Sequence, residues 1–163
     1  MVEGETIHCS NIAGHGTQNF VEVISNSCNP AFIQIGQMLG AGKFRQYYQG
    51  FGFSDKTGID LPGEAEDSFW KEGKMGGVDL AVASFGQNFT ITPIQMITAC
   101  AAVSNGGYVV QPHVVSKITD SKGNVIKTVD KKVKRQVISD DTSKKMNEYL
   151  ESVSYTHLTL PTT

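Results

Sequence analysis

The stretch Ile24-Ser25-Asn26-Ser27-Cys28-Asn29-Pro30-Ala31-Phe32 lies between two helix-like segments, and its centre, Ser27-Cys28-Asn29, decides how the rest is read. A hydroxyl and a carboxamide two residues apart, at a break between helices, can point the same way into a cleft. Locally the triplet reads as a helix start, with Asn29 as N-cap and Pro30 as the first helical residue. Such a cap does not exclude chemistry for the side chains. On the N-terminal side, Phe20, Val23 and Ile24 share one helical face while Glu22 and Ser25 fall elsewhere. On the C-terminal side a second helix is expected from Pro30 to about Leu39. Its Phe32, Ile35, Gly36 and Leu39 form an i, i+3, i+4, i+7 stripe, and Gly40 and Gly42 stop it. Packing that stripe into a core would hold the preceding turn rigid, which is what a site needs from its scaffold.

Further out, residues 1–17 are rich in Gly, His and Thr and read as loop with room for one short strand. A third amphipathic helix is expected at Lys43–Gln49, packed through Phe44, Tyr47 and Tyr48. Gly50-Phe51-Gly52-Phe53 then opens a loop that contains Lys56-Thr57-Gly58-Ile59-Asp60-Leu61-Pro62-Gly63-Glu64. Residues 64–80, with the single Trp70, read as a polar excursion over the surface. Thr92-Pro93-Ile94-Gln95 is a strong helix start, because Thr92 can cap, Pro93 suits the first position and Gln95 can complete a capping box. From Ile94 to Val103 that helix is apolar on nearly every side, so it is expected to be buried, and Asn105-Gly106-Gly107 ends it. Tyr108–Thr119 and Asn124–Val129, joined by Asp120-Ser121-Lys122-Gly123, read as a hairpin. Ser139-Asp140-Asp141 opens a last helix with Met146, Tyr149, Leu150 and Val153 on one face. From Ser154 the pattern breaks without a cap or glycine, and the last ten residues are similar to a translated sequencing adaptor. The expected organisation is therefore a partial domain over 1–153 followed by a non-native tail over 154–163.

Composition excludes several classes. At 163 residues a complete domain would bury roughly 70% of its unfolded surface. A hydrophobic content of 39%, a charged content of 18% and a net charge of −2 describe an ordinary globular chain and give no reason to expect a nucleic-acid partner. The densest positive run, Lys127 to Arg135, alternates with Val129 and Val133 and reads as the wet side of a strand. Cys9, Cys28 and Cys100 are far apart and odd in number, and no Cys-x-x-Cys or His-x-x-x-His spacing occurs, so no metal site is expected. His8, His15, His113 and His157 read as structural or surface residues, and Cys28 as a space filler. Asn88-Phe89-Thr90 fits a glycosylation sequon, a triplet common by chance. No apolar run of about 18 residues occurs, so no membrane span is expected within the chain. Met1-Val2-Glu3-Gly4-Glu5 lacks the apolar segment of a signal peptide, so a targeting signal would lie outside this sequence.

Four segments together resemble the transpeptidase domain of class B penicillin-binding proteins. They are Ile24–Phe32, Phe51–Glu64 with its Lys-Thr-Gly-Ile-Asp-Leu-Pro-Gly-Glu, Ala83-Ser84-Phe85-Gly86-Gln87, and Thr92-Pro93-Ile94-Gln95 through Asn105-Gly106-Gly107. Each is modest alone; four in the family's order and approximate spacing are specific, and they span nearly all of residues 1–153. The Ser-Cys-Asn-Pro-Ala-Phe form is most similar to the sporulation protein D subgroup, with division-type homologues close. The resemblance implies an α+β (mixed α/β) fold of the penicillin-binding and serine β-lactamase type, with a central antiparallel sheet flanked by helices. It also implies a serine D,D-transpeptidase that cross-links peptidoglycan stem peptides and binds β-lactam antibiotics, without a cofactor or metal. The parent would be anchored in the bacterial cytoplasmic membrane with this domain outside. A Ser-x-x-Lys serine attacks the substrate carbonyl in that family while the lysine takes its proton. By resemblance, Ser27 would relay a proton between that lysine and the leaving amine. Asn29 would orient the lysine and bind the substrate amide, since a carboxamide orients without changing charge.

The sequence departs from the family pattern in two places. No Ser-x-x-Lys occurs upstream of Ser27; Ser68-Phe69-Trp70-Lys71 has the spacing but the wrong order. Lys56-Thr57-Gly58 follows Ser27 too closely, is followed by Ile59, and belongs to the longer loop motif, so Lys56 is assigned no catalytic role. The chain is thus expected to hold one of three catalytic motifs, to be inactive alone, and to leave helix faces uncovered. The alternative is a non-catalytic β-lactam-sensing or scaffold homologue of the same fold, and a truncated reading frame without its own function is compatible with the first reading.

Overall fold

The computed structural model describes residues 2–4, 6–65, 70 and 73–157. The chain divides into two compact units, one formed by Met1–Gln46, Phe69–Thr90 and Lys145–Thr163, the other by Tyr47–Ser68 and Ile91–Lys144.

The first unit is helical. Helix α1 spans Phe20–Ser25, α2 Asn29–Leu39, and α4 Gly77–Ser84, with α3 (Ala41–Gly50) between α2 and α4 in the sequence. Asn19 and Glu22 form a capping box at the start of α1: the Glu22 N–H donates to Asn19 Oδ1 at 3.0 Å, and the Asn19 N–H to Glu22 Oε2 at 2.7 Å. Helices α2 and α4 approach closely because Gly36 has no side chain. A Cβ there would lie 1.8 Å from the Ser84 hydroxyl, which instead donates to the Leu80 carbonyl at 2.6 Å. Val2, Ile33 and Ala81 form the buried cluster, with Ile7, Val78 and Phe85 packed around it. The core face of α2 is therefore centred on Ile33 and Gly36. Ile35, expected inside, is exposed, because one position along a helix turns the side chain by about 100° and Ile33 took the inner place. Helix α4 replaces the end of the expected surface excursion. Its Leu80, Ala81 and Ala83 are buried, and Gly76 and Asp79 begin it without the usual Ser or Thr signal.

The second unit is built on helix α5, Pro93–Ser104. The Thr92–Gln95 capping box forms as read from the sequence: Thr92 Oγ1 accepts from the Gln95 N–H at 3.2 Å, and Gln95 Oε1 from the Thr92 N–H at 2.8 Å. Strand β1 (Tyr108–Gln111) packs on α5 and pairs antiparallel with β4 (Lys132–Gln136), while β2 (Lys117–Thr119) pairs with β3 (Val125–Thr128). The expected hairpin is thus the β2–β3 pair around Asp120–Gly123, whose turn is closed by Asp120 Oδ1 accepting from the N–H groups of Lys122 and Asn124, both at 2.8 Å. Tyr108–Gln111 belongs to the other sheet, and the Lys127–Arg135 run is divided between β3 and β4 by a non-strand link. The fold is mixed α and β with antiparallel sheets, each of two strands among the described residues. Helix α5 buries Gln95, Thr98, Ala99 and Ala102, but Ile97 is 62% exposed, so its apolar character does not translate into burial on every side.

Ser139 caps the final helix α6 (Asp140–His157), accepting from the Thr142 N–H at 3.2 Å. In the first unit, α6 carries Tyr149, whose ring meets Phe20 edge-on at 5.4 Å. Leu150, placed on the same face by periodicity, is exposed. The backbone stays helical through His157, past the expected break at Ser154, and residues 158–163 lie outside those described. No described helix is long and apolar enough to cross a membrane.

Candidate active site

The Ser27-Cys28-Asn29 turn is fixed by backbone geometry at both ends. Helix α1 closes with a Schellman motif: the Ser27 N–H donates to the Ile24 carbonyl at 3.1 Å and the Cys28 N–H to the Val23 carbonyl at 3.2 Å. That motif demands a left-handed residue after the cap, and Ser27 takes it with φ of 47°. The apolar pair that usually accompanies the motif is Val23 and Cys28, both buried. Cys28 then serves a second helix. Its carbonyl accepts from the N–H groups of Ala31 and Phe32, both at 3.1 Å, so it is the N-cap of α2. Asn29, expected as the cap, is instead the first helical residue. The shift by one residue follows from the shared turn, because the residue that ends the Schellman motif already has the extended backbone that a cap needs.

Consequently Ser27 is exposed at the outside of the turn and Asn29 is half-buried in the first turn of α2. Asn29 Nδ2 donates to the His8 carbonyl at 3.3 Å, which links the turn to the N-terminal loop. A left-handed non-glycine residue carries a conformational cost of about 1–2 kcal/mol. Such strain is a pointer to function when the residue is also chemically competent.

Lys56-Thr57-Gly58 has a different character. Glu64 gathers the segment: one carboxylate oxygen accepts from the Thr57 N–H at 2.9 Å and from the Thr57 hydroxyl, the other from the Gly58 N–H at 2.8 Å. Thr57 is buried. Asp60 accepts from the N–H groups of Val114 and Val115 at 2.7 and 2.9 Å, and Gln95 Nε2 donates to the carbonyls of Phe53 and Asp55 at 3.1 and 3.0 Å. Lys134 Nζ donates to the Lys56 carbonyl at 3.1 Å. The two backbone amides hold the Asp60 carboxyl below its ordinary range. Partial burial pushes Glu64 up, but the bonds from Thr57 and Gly58, together with the charge of Lys134, outweigh it and leave Glu64 lowered. This loop is a hydrogen-bonded brace built on Glu64, Asp60 and Gln95. The alternative Ser68–Lys71 match falls almost wholly outside the described residues.

One grouping has no counterpart in the sequence spacing. Cys9 Sγ, Cys28 Sγ and a ring nitrogen of His15 all lie within 4.8 Å of one another. Backbone hydrogen bonding by Asn11 is the main influence that brings the Cys9 thiol down to about 7, with smaller help from His15 and Ser10. The intervals from 9 to 15 to 28 match no ligand motif, so only the fold reveals the group.

The transpeptidase-domain model of the penicillin-binding proteins matches residues 2–157. The chain belongs to that family. Stage V sporulation protein D of Bacillus subtilis (strain 168) is 41% identical over 155 residues, which cover 93% of this chain and 24% of that protein. Among solved structures, the D,D-transpeptidase domain of a peptidoglycan glycosyltransferase from Eggerthella lenta superposes with a TM-score of 0.84 at 21% identity, covering 99% of this chain and 43% of that one. Penicillin-binding protein A of Mycobacterium tuberculosis, solved as its penicillin G acyl-enzyme, gives 0.80 at 24% identity over 94% of this chain and 37% of the other. The two structures establish the shared transpeptidase fold. The chain spans about a quarter of the length of the curated relative.

Proposed function

We propose that the chain is part of a serine D,D-transpeptidase that cross-links peptidoglycan stem peptides, and that Ser27 and Asn29 belong to its catalytic centre. The observation that carries this reading is the left-handed Ser27 in the turn where the family resemblance puts its second motif. In this position the hydroxyl is held outward by two main-chain bonds of the helix stop and is free of a capping duty, which falls to the backbone of Cys28. A hydroxyl can accept and donate in one step, so Ser27 would pass the proton from the general-base lysine to the leaving amine. Asn29, anchored by the first turn of α2, would orient that lysine and bind a substrate amide. Substrate, β-lactam binding, attachment to the cytoplasmic membrane and an extracytoplasmic site belong to the same proposal. The isolated chain is expected to form no adduct with labelled penicillin, since it holds neither the nucleophile motif nor the inner-strand Lys-Thr-Gly.

The test is a chimera in which residues 2–153 replace the aligned segment of the Bacillus subtilis relative. The expected result is a folded protein that becomes covalently labelled by fluorescent penicillin and transfers stem peptides in vitro. A chimera with a native circular-dichroism spectrum and no covalent labelling would contradict the proposal.

A further inference from the structure

We propose that the open cavity between α5 and β1 binds a small amphiphile, an apolar body that carries one carboxylate. The cavity lies wholly within the second unit, neither Ser27 nor Asn29 lines it, and the inference stands independently of the transpeptidase reading. Its volume is about 360 Å³, within the usual range for small-molecule sites. Ile97, Ala101, Val110 and Pro112 supply the apolar part of the lining. Ile97 is the apolar residue of α5 that the fold leaves exposed, and here it forms part of a concave surface rather than a flat one. Water in such a cavity finds few partners on the side chains of Ile97, Ala101 and Val110. Displacing weakly held water with an apolar group favours binding.

The polar side chains of the lining choose the head group. Thr98 and Gln111 are already engaged: the Thr98 hydroxyl donates to the Ile94 carbonyl at 2.7 Å, and the Gln111 amide to the Gly58 carbonyl. His113 and Lys131 are exposed, and neither side chain has a hydrogen bond or an ion pair among the described residues. Asp60 is the carboxylate whose charge reaches His113, but its two oxygens accept from the Val114 and Val115 N–H groups at 2.7 and 2.9 Å. The donors left over are therefore an ammonium and an imidazole, and a carboxylate bonds to both. One full positive charge matches one negative charge. A dianionic phosphate would leave a charge uncompensated in the neighbourhood of Asp60, so the geometry favours a monoanion.

Decanoate is the probe. It is titrated below its micelle concentration into the 163-residue chain, and into the folded chimera described above, with binding followed by calorimetry. One saturable site per chain is expected in both. Shortening the probe should weaken binding about fourfold for each methylene removed. Decanol, which lacks the charge, should bind at least about tenfold more weakly than decanoate, and Lys131→Gln should lose a similar factor. Ile97→Asp, at an exposed helix position, should abolish binding, while Lys122→Gln in the β2–β3 turn should leave it unchanged. A second readout uses the unaltered chain: a diazirine-bearing decanoate, photolysed when bound, should label the peptides that contain Ile97–Ala101 and Val110–His113. No saturable binding in either protein overturns the site, as does labelling confined to other peptides. Decanol binding as tightly as decanoate overturns the assigned head group. Binding to the 163-residue chain that is absent from the folded chimera also overturns the proposal, because residues of the parent then fill the cavity.

Discussion

Among the described residues four helices stop in the same manner, yet one of them uses a different residue to do it. Helices α3, α4 and α5 place Gly52, Gly86 and Gly106 in the left-handed position, with φ of 89°, 85° and 89°. Their closing bonds run from Phe53 to Tyr48, from Gln87 to Val82 and from Gly107 to Ala102. In α3 the accompanying apolar contact is visible as the Tyr48 and Phe53 rings at 5.1 Å, and in α5 the buried Ser143 hydroxyl bridges the Gly106 N–H and the Val103 carbonyl. Helix α1 has the same closure, from Cys28 to Val23, but holds Ser27 where the others hold glycine. Glycine is the residue that folding alone selects there. The contrast teaches that α1 keeps a hydroxyl at a conformational cost the other three helices avoid, as expected of a functional turn rather than a purely structural one.

The comparison breaks first on activity. In the chimera with the Bacillus subtilis relative, Ser27→Ala should lower the rate of penicillin acylation or peptide transfer by about 10²–10⁴-fold, the usual contribution of a positioned proton-transfer group. Ser27→Gly should lose activity to the same degree. Full activity in either would return Ser27 to a plain helix stop.

Next in size is the brace around Lys-Thr-Gly. Glu64→Ala leaves the buried Thr57 hydroxyl and two amides without their acceptor and should cost about 1–3 kcal/mol in urea unfolding. Acylation by the folded fraction should not change. A loss of acylation at unchanged stability would instead make this loop part of the reaction centre.

Smaller effects sharpen the helix-stop argument itself. A side chain at Gly86 would meet nothing within 4 Å, so Gly86→Ser tests the backbone cost alone; it should destabilise by about 1–2 kcal/mol. Ser27→Gly should stabilise by a similar amount, roughly 1 kcal/mol, seen as a higher thermal midpoint. Equal and opposite shifts support stored strain at Ser27, whereas a destabilising Ser27→Gly contradicts it.

Smallest is a pH effect. Asp60 and Glu64 have folded pKa values lowered from the ordinary 3.8 and 4.5. Groups depressed in the folded state add stability above the unfolded pKa, and it disappears as pH falls through the folded value. The urea midpoint should therefore drop below about pH 4.5, and Glu64→Gln should flatten that drop. A midpoint that rises on acidification would reverse the assigned sign.

The parts of this architecture that sequence revealed were those with local chemistry. Thr92-Pro93-Ile94-Gln95 carries its whole capping box within four residues, and Asp120 closes the β2–β3 turn with its own side chain. What sequence concealed depended on distant partners. Helix α4 begins without a hydroxyl cap, and it is the fit of Ser84 against Gly36 that gives it a packing place. The pairing of β1 with β4 skips over the hairpin, so no adjacency announced it. Ile97 reads as core and lies exposed, because hydrophobicity states a preference and not which surfaces are at hand to satisfy it. At the candidate site, Ser27 and Asn29 could be named from the motif. The left-handed backbone at Ser27, the capping role of Cys28 and the approach of Cys9 and His15 could not, since each is a property of the closed turn.

The most direct trial of the central claim sets the two motif letters against each other in one protein. In the folded chimera, the second-order rate of acylation by labelled penicillin is measured for Asn29→Ala and for Lys56→Ala. Loss of about 10²-fold or more in Asn29→Ala, with Lys56→Ala unchanged, is the predicted result. An unchanged Asn29→Ala together with a Lys56→Ala that no longer acylates would contradict it, and would move the reaction centre from the helix turn to the braced loop.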